Sequence, residues 1–144
     1  MKEIPSTHFC GHRFIVLSRL GDGGAASVWR VVDSKYDIER AVKTLHLTDH
    51  ENTLSRFEQE VKIMMRLQSP NIVTVFESFV EEERLYIVME KCSGSLDTWS
   101  KMHGQMPIKM AVNVLISMLK GLEVAHRKGV VHRDIKPHNV LVAD

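Results

Sequence analysis

A short polar segment near the end of the 144-residue sequence carries residue types that could do chemistry. It contains Asp134, Lys136 and Asn139, with Asn139 five positions after Asp134. Apolar runs at 129–131 and 140–142 flank it and a proline interrupts it, so neither strand nor helix periodicity crosses it. A carboxylate, an ammonium group and a carboxamide in one anchored loop can accept a proton, hold a phosphate and ligate Mg²⁺. The segment therefore predicts a loop for phosphate chemistry, with a functionless polar turn as the alternative.

A glycine-rich segment lies far upstream of this loop. Strand-like residues precede it at 13–20 and follow it at 27–32, so the glycines join two strands and do not open the helix of a dinucleotide fingerprint. Gly21 and Gly23 allow close approach of backbone N–H groups to phosphate oxygens. An ordinary hairpin turn is the alternative interpretation. The segment consists of Leu20, Gly21, Asp22, Gly23, Gly24, Ala25, Ala26, Ser27 and Val28.

A lysine in an apolar strand is the third candidate. Lys43 lies in the run 38–47, which has strand character. An unpaired ammonium group is costly to bury, so Lys43 needs an anionic partner unless it faces outward from an edge strand. Glu60 could be that partner, on a helix predicted at 54–67 from the spacing of its apolar residues. Glu60 could instead pair with Arg56, one helical turn earlier.

Further elements must position these candidates. A break at 69–71 opens a strand that runs through Val80, and a second strand is predicted at 84–90 after a charged turn. The segment 108–128 predicts a long helix that is apolar apart from one narrow polar stripe. A helix of this kind is expected to be buried on several sides.

The composition is that of a folded domain. Hydrophobic residues make up 44% and charged residues 26% of the chain, which argues against disorder. A formal net charge of +1 without a basic stripe gives no case for nucleic acid as a partner. Cys10 and Cys92 do not make a disulfide framework, and no signal peptide or membrane-spanning run is seen, so we expect a cytoplasmic protein. The segment 8–12 has two histidines and a cysteine but no second ligand pair, so no metal site is expected there.

Taken together, the three motifs resemble those of the protein kinase family. The loop matches His-Arg-Asp followed by Asn five positions later, and residues 41–43 match the end of Val-Ala-Ile-Lys. The glycine-rich segment matches the family pattern with Ala26 in place of the third glycine. The resemblance implies an α+β kinase-like fold, with a small lobe of five antiparallel strands and one helix, and the start of a helical large lobe. The implied domains are an N-terminal extension at 1–12, a small lobe at 13–90, a hinge at 91–95 and the start of the large lobe at 96–144.

The resemblance also implies a role for each candidate. Asp134 would orient and deprotonate the attacking hydroxyl, Lys136 would neutralise the transferring phosphoryl group, and Asn139 would ligate Mg²⁺. Lys43 would contact the ATP phosphates and pair with Glu60, and the glycine-rich segment would cover the phosphates. Met89 would stand at the back of the adenine pocket. The other implied nucleotide contacts are Ala41, the backbone of Glu90, Lys91 and Cys92 in the hinge, and Ser95 near the ribose.

The implied activity is transfer of the γ-phosphate of ATP to Ser or Thr hydroxyls of proteins. Lys136, two positions after Asp134, follows the Ser/Thr-kinase pattern. The residues of the loop are similar to those of the eukaryotic-like Ser/Thr kinases of bacteria. The family's Asp-Phe-Gly and Ala-Pro-Glu motifs do not occur in these residues, and Asp144 follows Asn139 too closely to stand in, so we expect an N-terminal part of a kinase domain. Two alternatives remain: an ATP-binding pseudokinase, and a kinase-like regulator or decoy without phosphotransfer.

Overall fold

The chain folds as two compact units. The computed structural model describes residues 7–23, 26–46 and 51–143, and of residues 22, 23, 46 and 51–57 it describes the backbone alone. One unit comprises the described residues up to Met65 together with Val75–Lys91, and the other comprises Arg66–Thr74 and the described residues from Cys92 onward. The division after Lys91 falls inside the segment predicted as a hinge.

The first unit is built on an antiparallel sheet. Its strands are β1 (His8–Phe9), β2 (Phe14–Gly23), β3 (Ala26–Asp33), β4 (Ile38–His46), β5 (Val75–Glu81) and β6 (Arg84–Met89). Within the described residues the strand order is β1-β2-β3-β4-β6-β5. The sheet therefore has one strand more than the five predicted. The extra strand forms because Phe9 is buried in the core and pairs with Phe14.

Side-chain alternation gives this sheet two apolar faces. On one face, Val42 and Val88 belong to a cluster that also takes in both N-terminal phenylalanines. On the other face, Leu85 and Ile87 pack with Val61 of helix α1 (Glu51–Met65). The larger cluster consists of Phe9, Phe14, Trp29, Val31, Val42, Tyr86 and Val88.

Ionic contacts tie the two ends of the sheet together. The guanidinium of Arg13, just before β2, donates to both oxygens of Asp33 at 3.0 and 2.7 Å and to both oxygens of Glu77 on β5 at 2.7 and 3.1 Å. The hydrogen bonds from Arg13 lower the pKa of the buried Asp33 carboxyl. The Glu81 carboxylate accepts the backbone N–H of Cys10 at 2.8 Å. The sheet is curled, and these contacts link its first strands to β5.

Helix α1 begins three residues earlier than the predicted start at 54 and ends two residues before the predicted end at 67. Val61 is buried, as the helical spacing predicts, whereas Met64 is exposed. Leu67 is buried after the helix has ended. Thr48 and Glu51 have the spacing of a capping box for this helix, but Thr48 lies outside the described residues.

The second unit begins with a two-stranded sheet of β7 (Cys92–Ser95) and β8 (Leu141–Ala143). Helix α2 (Leu96–His103) follows β7 directly, and its first turn is capped by Ser95. Helix α3 (Ile108–Arg127) matches the predicted helix to within one residue. A 3₁₀ turn (Pro137–Asn139) leads into β8.

Within the described part of the chain, α3 lacks the burial on several sides that its pattern predicts for a complete large lobe. Of its residues only Gly121 and Ala125 are buried. Ile108 is 84% exposed and Leu119 is 64% exposed, because no described element covers that face of the helix. Within the described part of the chain, no helix has the length and apolarity needed to cross a lipid bilayer.

We expect the 144-residue chain to self-associate when it is expressed alone. Val112, Leu115 and Leu119 are 47%, 56% and 64% exposed on one helix, and full burial of such a side chain is worth about 1.5–3 kcal/mol. Exposed apolar patches of this size favour association. Sedimentation velocity of the chain should show oligomers at micromolar concentration, and Leu115→Glu with Leu119→Glu should restore the monomer. A monomeric wild-type chain would contradict the expectation.

Gly121 lets the segment Arg66–Thr74 approach α3. A Cβ atom built on Gly121 would lie 2.5 Å from the backbone oxygen of Asn71. That distance is shorter than any van der Waals contact, and a backbone oxygen cannot turn away as a side chain can. The close approach explains why a residue with poor helix propensity stands inside α3.

Gly121→Ala should therefore destabilise the second unit by about 1–3 kcal/mol, as overpacking does. In an uncrowded helix the same change stabilises by about 1 kcal/mol. The free energy of unfolding in urea should be compared in a polypeptide that continues beyond Asp144 with the rest of a kinase-type domain. Ser117→Ala, at an exposed position of the same helix, is the matched control. A stabilised Gly121→Ala protein would show that the Asn71 contact is not made.

Candidate active site

The glycine-rich segment forms a hairpin, as predicted. Gly21 pairs with Val28, Asp22 with Ser27 and Gly23 with Ala26, which makes β2 and β3 continuous up to the glycines. Gly24 and Ala25 lie outside the described residues. The Ser27 hydroxyl accepts a hydrogen bond from Arg19 at 2.7 Å. Leu20 is exposed beside a register shift between β2 and β3.

The strand register places four predicted nucleotide contacts on one face of the sheet. Lys43 lies opposite Val28 on β3, and Ala41 lies opposite Met89 on β6. Lys43 and Ala41 are two residues apart, so all four side chains share a face. This face also carries Ile87, which packs with Val61 of α1. The register therefore aligns a lysine with apolar neighbours on the α1 side of the sheet.

Lys43 and Glu60 do not form an ion pair with each other among the side chains that the structure describes. Lys43 is half-buried and Glu60 is exposed, one residue before the buried Val61. Arg56, the alternative partner of Glu60, has a side chain outside the described set. The Lys43–Glu60 pair stays a prediction for the active conformation.

The segment predicted as a hinge is held by local contacts. In the first unit, the Nζ of Lys91 lies 3.7 Å from a carboxylate oxygen of Glu39, which also pairs with Arg30. In the second unit, Cys92 pairs with Ala143 at the start of β7. The Ser95 hydroxyl, predicted to lie near a ribose, accepts the backbone N–H of Thr98 at 3.1 Å as the cap of α2. The structure thus gives Ser95 a structural role that its sequence context did not predict.

In the second unit, the loop residues converge as their spacing predicts. The Oδ2 atom of Asp134 lies 2.9 Å from the Nζ of Lys136 and accepts from the Nδ2 of Asn139 at 3.0 Å. Asn139 also donates to the backbone oxygen of Asp134 at 2.9 Å. The hydrogen bond from Lys136, and to a lesser degree that from Asn139, lowers the pKa of Asp134. Asp134 is therefore a carboxylate at neutral pH, and it is exposed.

Two side-chain oxygen atoms in this loop have no described hydrogen-bond partner. They are Oδ1 of Asp134 and the carboxamide oxygen Oδ1 of Asn139, since all described side-chain contacts of these residues use Oδ2 and Nδ2. Mg²⁺ prefers oxygen ligands, so the Asn139 carboxamide oxygen fits the predicted metal. A metal site of a different kind, made of three His, Cys, Asp or Glu side chains, is not found in the part of the chain that is described, the segment 8–12 included.

Backbone contacts fix the C-terminal end of the loop. The N–H of Leu96 donates to the oxygen of Val140 at 2.7 Å, and β8 pairs with β7 beyond it. Arg133, just before Asp134, has a positive φ of 63°, an uncommon conformation for a residue other than glycine. One contact here was not predicted from the sequence, between Asp97 on α2 and His138. No local pattern links residues so far apart in the chain.

Comparison of the chain with known proteins matches it to one family. The family model described as "Protein kinase domain" matches residues 14–144. A probable serine/threonine-protein kinase of Clostridium perfringens, CPE1738, is 34% identical over 137 residues, which are 93% of this chain and 20% of that protein. PksC, a serine/threonine-protein kinase of Streptomyces coelicolor, is 37% identical over 143 residues, 92% of this chain and 26% of that protein.

A third relative is also a serine/threonine-protein kinase. The serine/threonine-protein kinase PrkC of Bacillus subtilis is 35% identical over 134 residues, 90% of this chain and 20% of that protein. The chain thus spans about a fifth to a quarter of the length of the curated relatives it matches. Its motifs, its small-lobe sheet and the family match agree, and the chain belongs to the protein kinase family, among relatives that are bacterial Ser/Thr kinases.

Proposed function

We propose that this chain carries the ATP-binding sheet and the catalytic loop of a Ser/Thr protein kinase, which transfers the γ-phosphate of ATP to protein hydroxyls. The observation that carries the proposal is the Asp134 carboxylate. One of its oxygens is occupied by Lys136 and Asn139, and the other has no described partner. An ionised, exposed carboxylate with one open oxygen is suited to accept a proton from a substrate hydroxyl.

The proposed reaction is a direct displacement. As Asp134 takes the proton, the Ser or Thr oxygen bonds to the γ-phosphorus, the bond to the β–γ bridging oxygen breaks, and ADP leaves with those electrons. Lys136 would neutralise charge on the transferring phosphoryl group, and Lys43 would hold the α- and β-phosphates. When bound, Mg²⁺ supplies further neutralisation of the phosphates. Asn139 would provide an oxygen ligand for it.

The remaining proposed contacts surround the nucleotide. Residues 20–28 would cover the phosphates with backbone N–H groups, and Ala41 and Met89 would contact the adenine from the sheet. The backbone of Glu90 and Cys92 would hydrogen-bond the adenine, and Ser95 would lie near the ribose. Glu60 would orient Lys43. The proposed place of action is the cytoplasm, where ATP is supplied and where Cys10 and Cys92 stay reduced.

The proposal is tested in a complete domain. By this we mean the natural product, if its reading frame continues past Asp144 into Asp-Phe-Gly, or otherwise a fusion of this chain to the second half of the PksC kinase domain. It should phosphorylate Ser or Thr in a generic protein substrate with Mg-ATP. The 144-residue chain, tested beside it, should not. ATP binding by the complete domain without transfer would favour the pseudokinase alternative, and a monomeric, inactive short chain would favour the decoy.

A further inference from the structure

Helix α2 and the catalytic loop are joined by a side-chain contact. The Oδ2 atom of Asp97, in the first turn of α2, lies 3.3 Å from the Nε2 atom of His138 in the 3₁₀ turn. The same oxygen lies 2.7 Å from the Nζ of Lys101, one helical turn further along. Lys101 first, and His138 in addition, lower the pKa of Asp97. Asp97 is thus held as a carboxylate by α2 itself, and it is the less exposed member of the pair.

The turn that contains His138 has little internal support. Its backbone bonds run from Asn139 N–H to the Lys136 oxygen at 2.9 Å and from Val140 N–H to the Pro137 oxygen at 3.4 Å. No side chain caps it. A single 3₁₀ turn has poor hydrogen-bond geometry, so external contacts decide its orientation. Leu96 fixes the backbone at Val140, after the turn, whereas the Asp97–His138 contact acts on the turn itself.

The residue that follows His138 is Asn139. Its side chain extends from the turn to Asp134, to which Nδ2 donates twice, so the direction of its carboxamide oxygen depends both on Asp134 and on how the turn is held. We propose that Asp97 and His138 form a positioning pair, which holds the turn so that this oxygen is presented to Mg²⁺. Neither residue touches the reacting atoms in this role. The inference rests on the proposed function and names a determinant of metal affinity within it.

The contact is exposed on the His138 side, so its effect is moderate. Exposed ion pairs change an equilibrium by up to about fivefold. In the complete domain, Asp97→Ala and His138→Ala should each raise the free Mg²⁺ concentration for half-maximal turnover by about two- to fivefold. The turnover number at saturating Mg²⁺ should stay unchanged. The double variant should be no worse than either single one, because both remove the same contact.

Three further comparisons separate positioning from a general loss of structure. His138→Lys keeps a hydrogen-bond donor at this position and should restore most of the Mg²⁺ affinity that His138→Ala loses. Glu123→Ala removes an exposed ion pair with Arg127 on α3, 2.6 Å long, and should change nothing. Hydrogen exchange of the backbone N–H of Asn139 should be faster in both alanine variants than in the wild type, with or without nucleotide. In the Glu123→Ala control it should equal the wild-type rate.

Additive effects in the double variant, no recovery with His138→Lys, or unchanged exchange at Asn139 would each overturn the positioning pair. A complete domain that shows no phosphotransfer at any Mg²⁺ concentration would overturn the proposed function instead. The exchange rates would then still decide whether Asp97 and His138 hold the turn.

Discussion

Asp134→Asn is expected to lower the turnover of the complete domain by about two to four orders of magnitude, the usual contribution of a general base. ATP affinity should be nearly unchanged, because the proposed partner of the carboxylate is the substrate hydroxyl. The asparagine oxygen can still accept from Lys136 and Asn139, so the loop should keep its conformation. Steady-state kinetics and ATP binding by calorimetry measure the two quantities separately.

Glu123→Gln is the matched control for this change, since it also removes one carboxylate charge, from an exposed pair on α3. It should leave both quantities unaltered. If ATP affinity falls in parallel with turnover in Asp134→Asn, then Asp134 is a metal ligand or a structural residue, and the role of proton acceptor is wrong.

Lys43→Met should lower phosphotransfer by about a hundredfold to a thousandfold, the cost of removing one positioned electrostatic group. The free energy of unfolding should change by less than about 1.5 kcal/mol, because methionine nearly keeps the volume of the side chain. Lys43 has no ion pair with Glu60 in the structure to lose. Turnover with Mg-ATP and urea unfolding should be measured on the same preparation.

The control for Lys43 is Lys62→Met, at an exposed position on α1. It should retain wild-type turnover. Activity within a few-fold of wild type in Lys43→Met would remove Lys43 from the proposed site, and a large loss of stability would make it a structural residue.

Local patterns account for most of what could be predicted about the fold. The glycine-rich hairpin, the strands around it and α3 follow from residues close in sequence, and the structure confirms them. The strand β1 was missed because its pairing depends on the burial of Phe9 in a core assembled from distant strands. Gly121 inside α3 is unfavourable by helix propensity alone, and only the contact with Asn71 explains it.

In the candidate site, too, contacts within one loop could be predicted, whereas contacts between separate elements could not. Asp134, Lys136 and Asn139 lie in one loop, so their spacing was enough to predict that they meet. The pairing of Lys43 with Glu60 depends on how α1 packs against the sheet, which local spacing does not determine. The contact of Asp97 with His138 has the same character, since it joins a helix to a loop from a later part of the chain.

The ties between Arg13, Asp33 and Glu77, and between Glu81 and Cys10, have a consequence for how this chain misassembles. An open sheet offers its outermost strands as templates on which a second chain can add a strand, the first step towards amyloid. Here the first and last strands of the sheet are drawn together, and β1 is only two residues long. Chains should therefore associate through the exposed faces of their helices. The resulting oligomers should have little tendency to form cross-β fibrils.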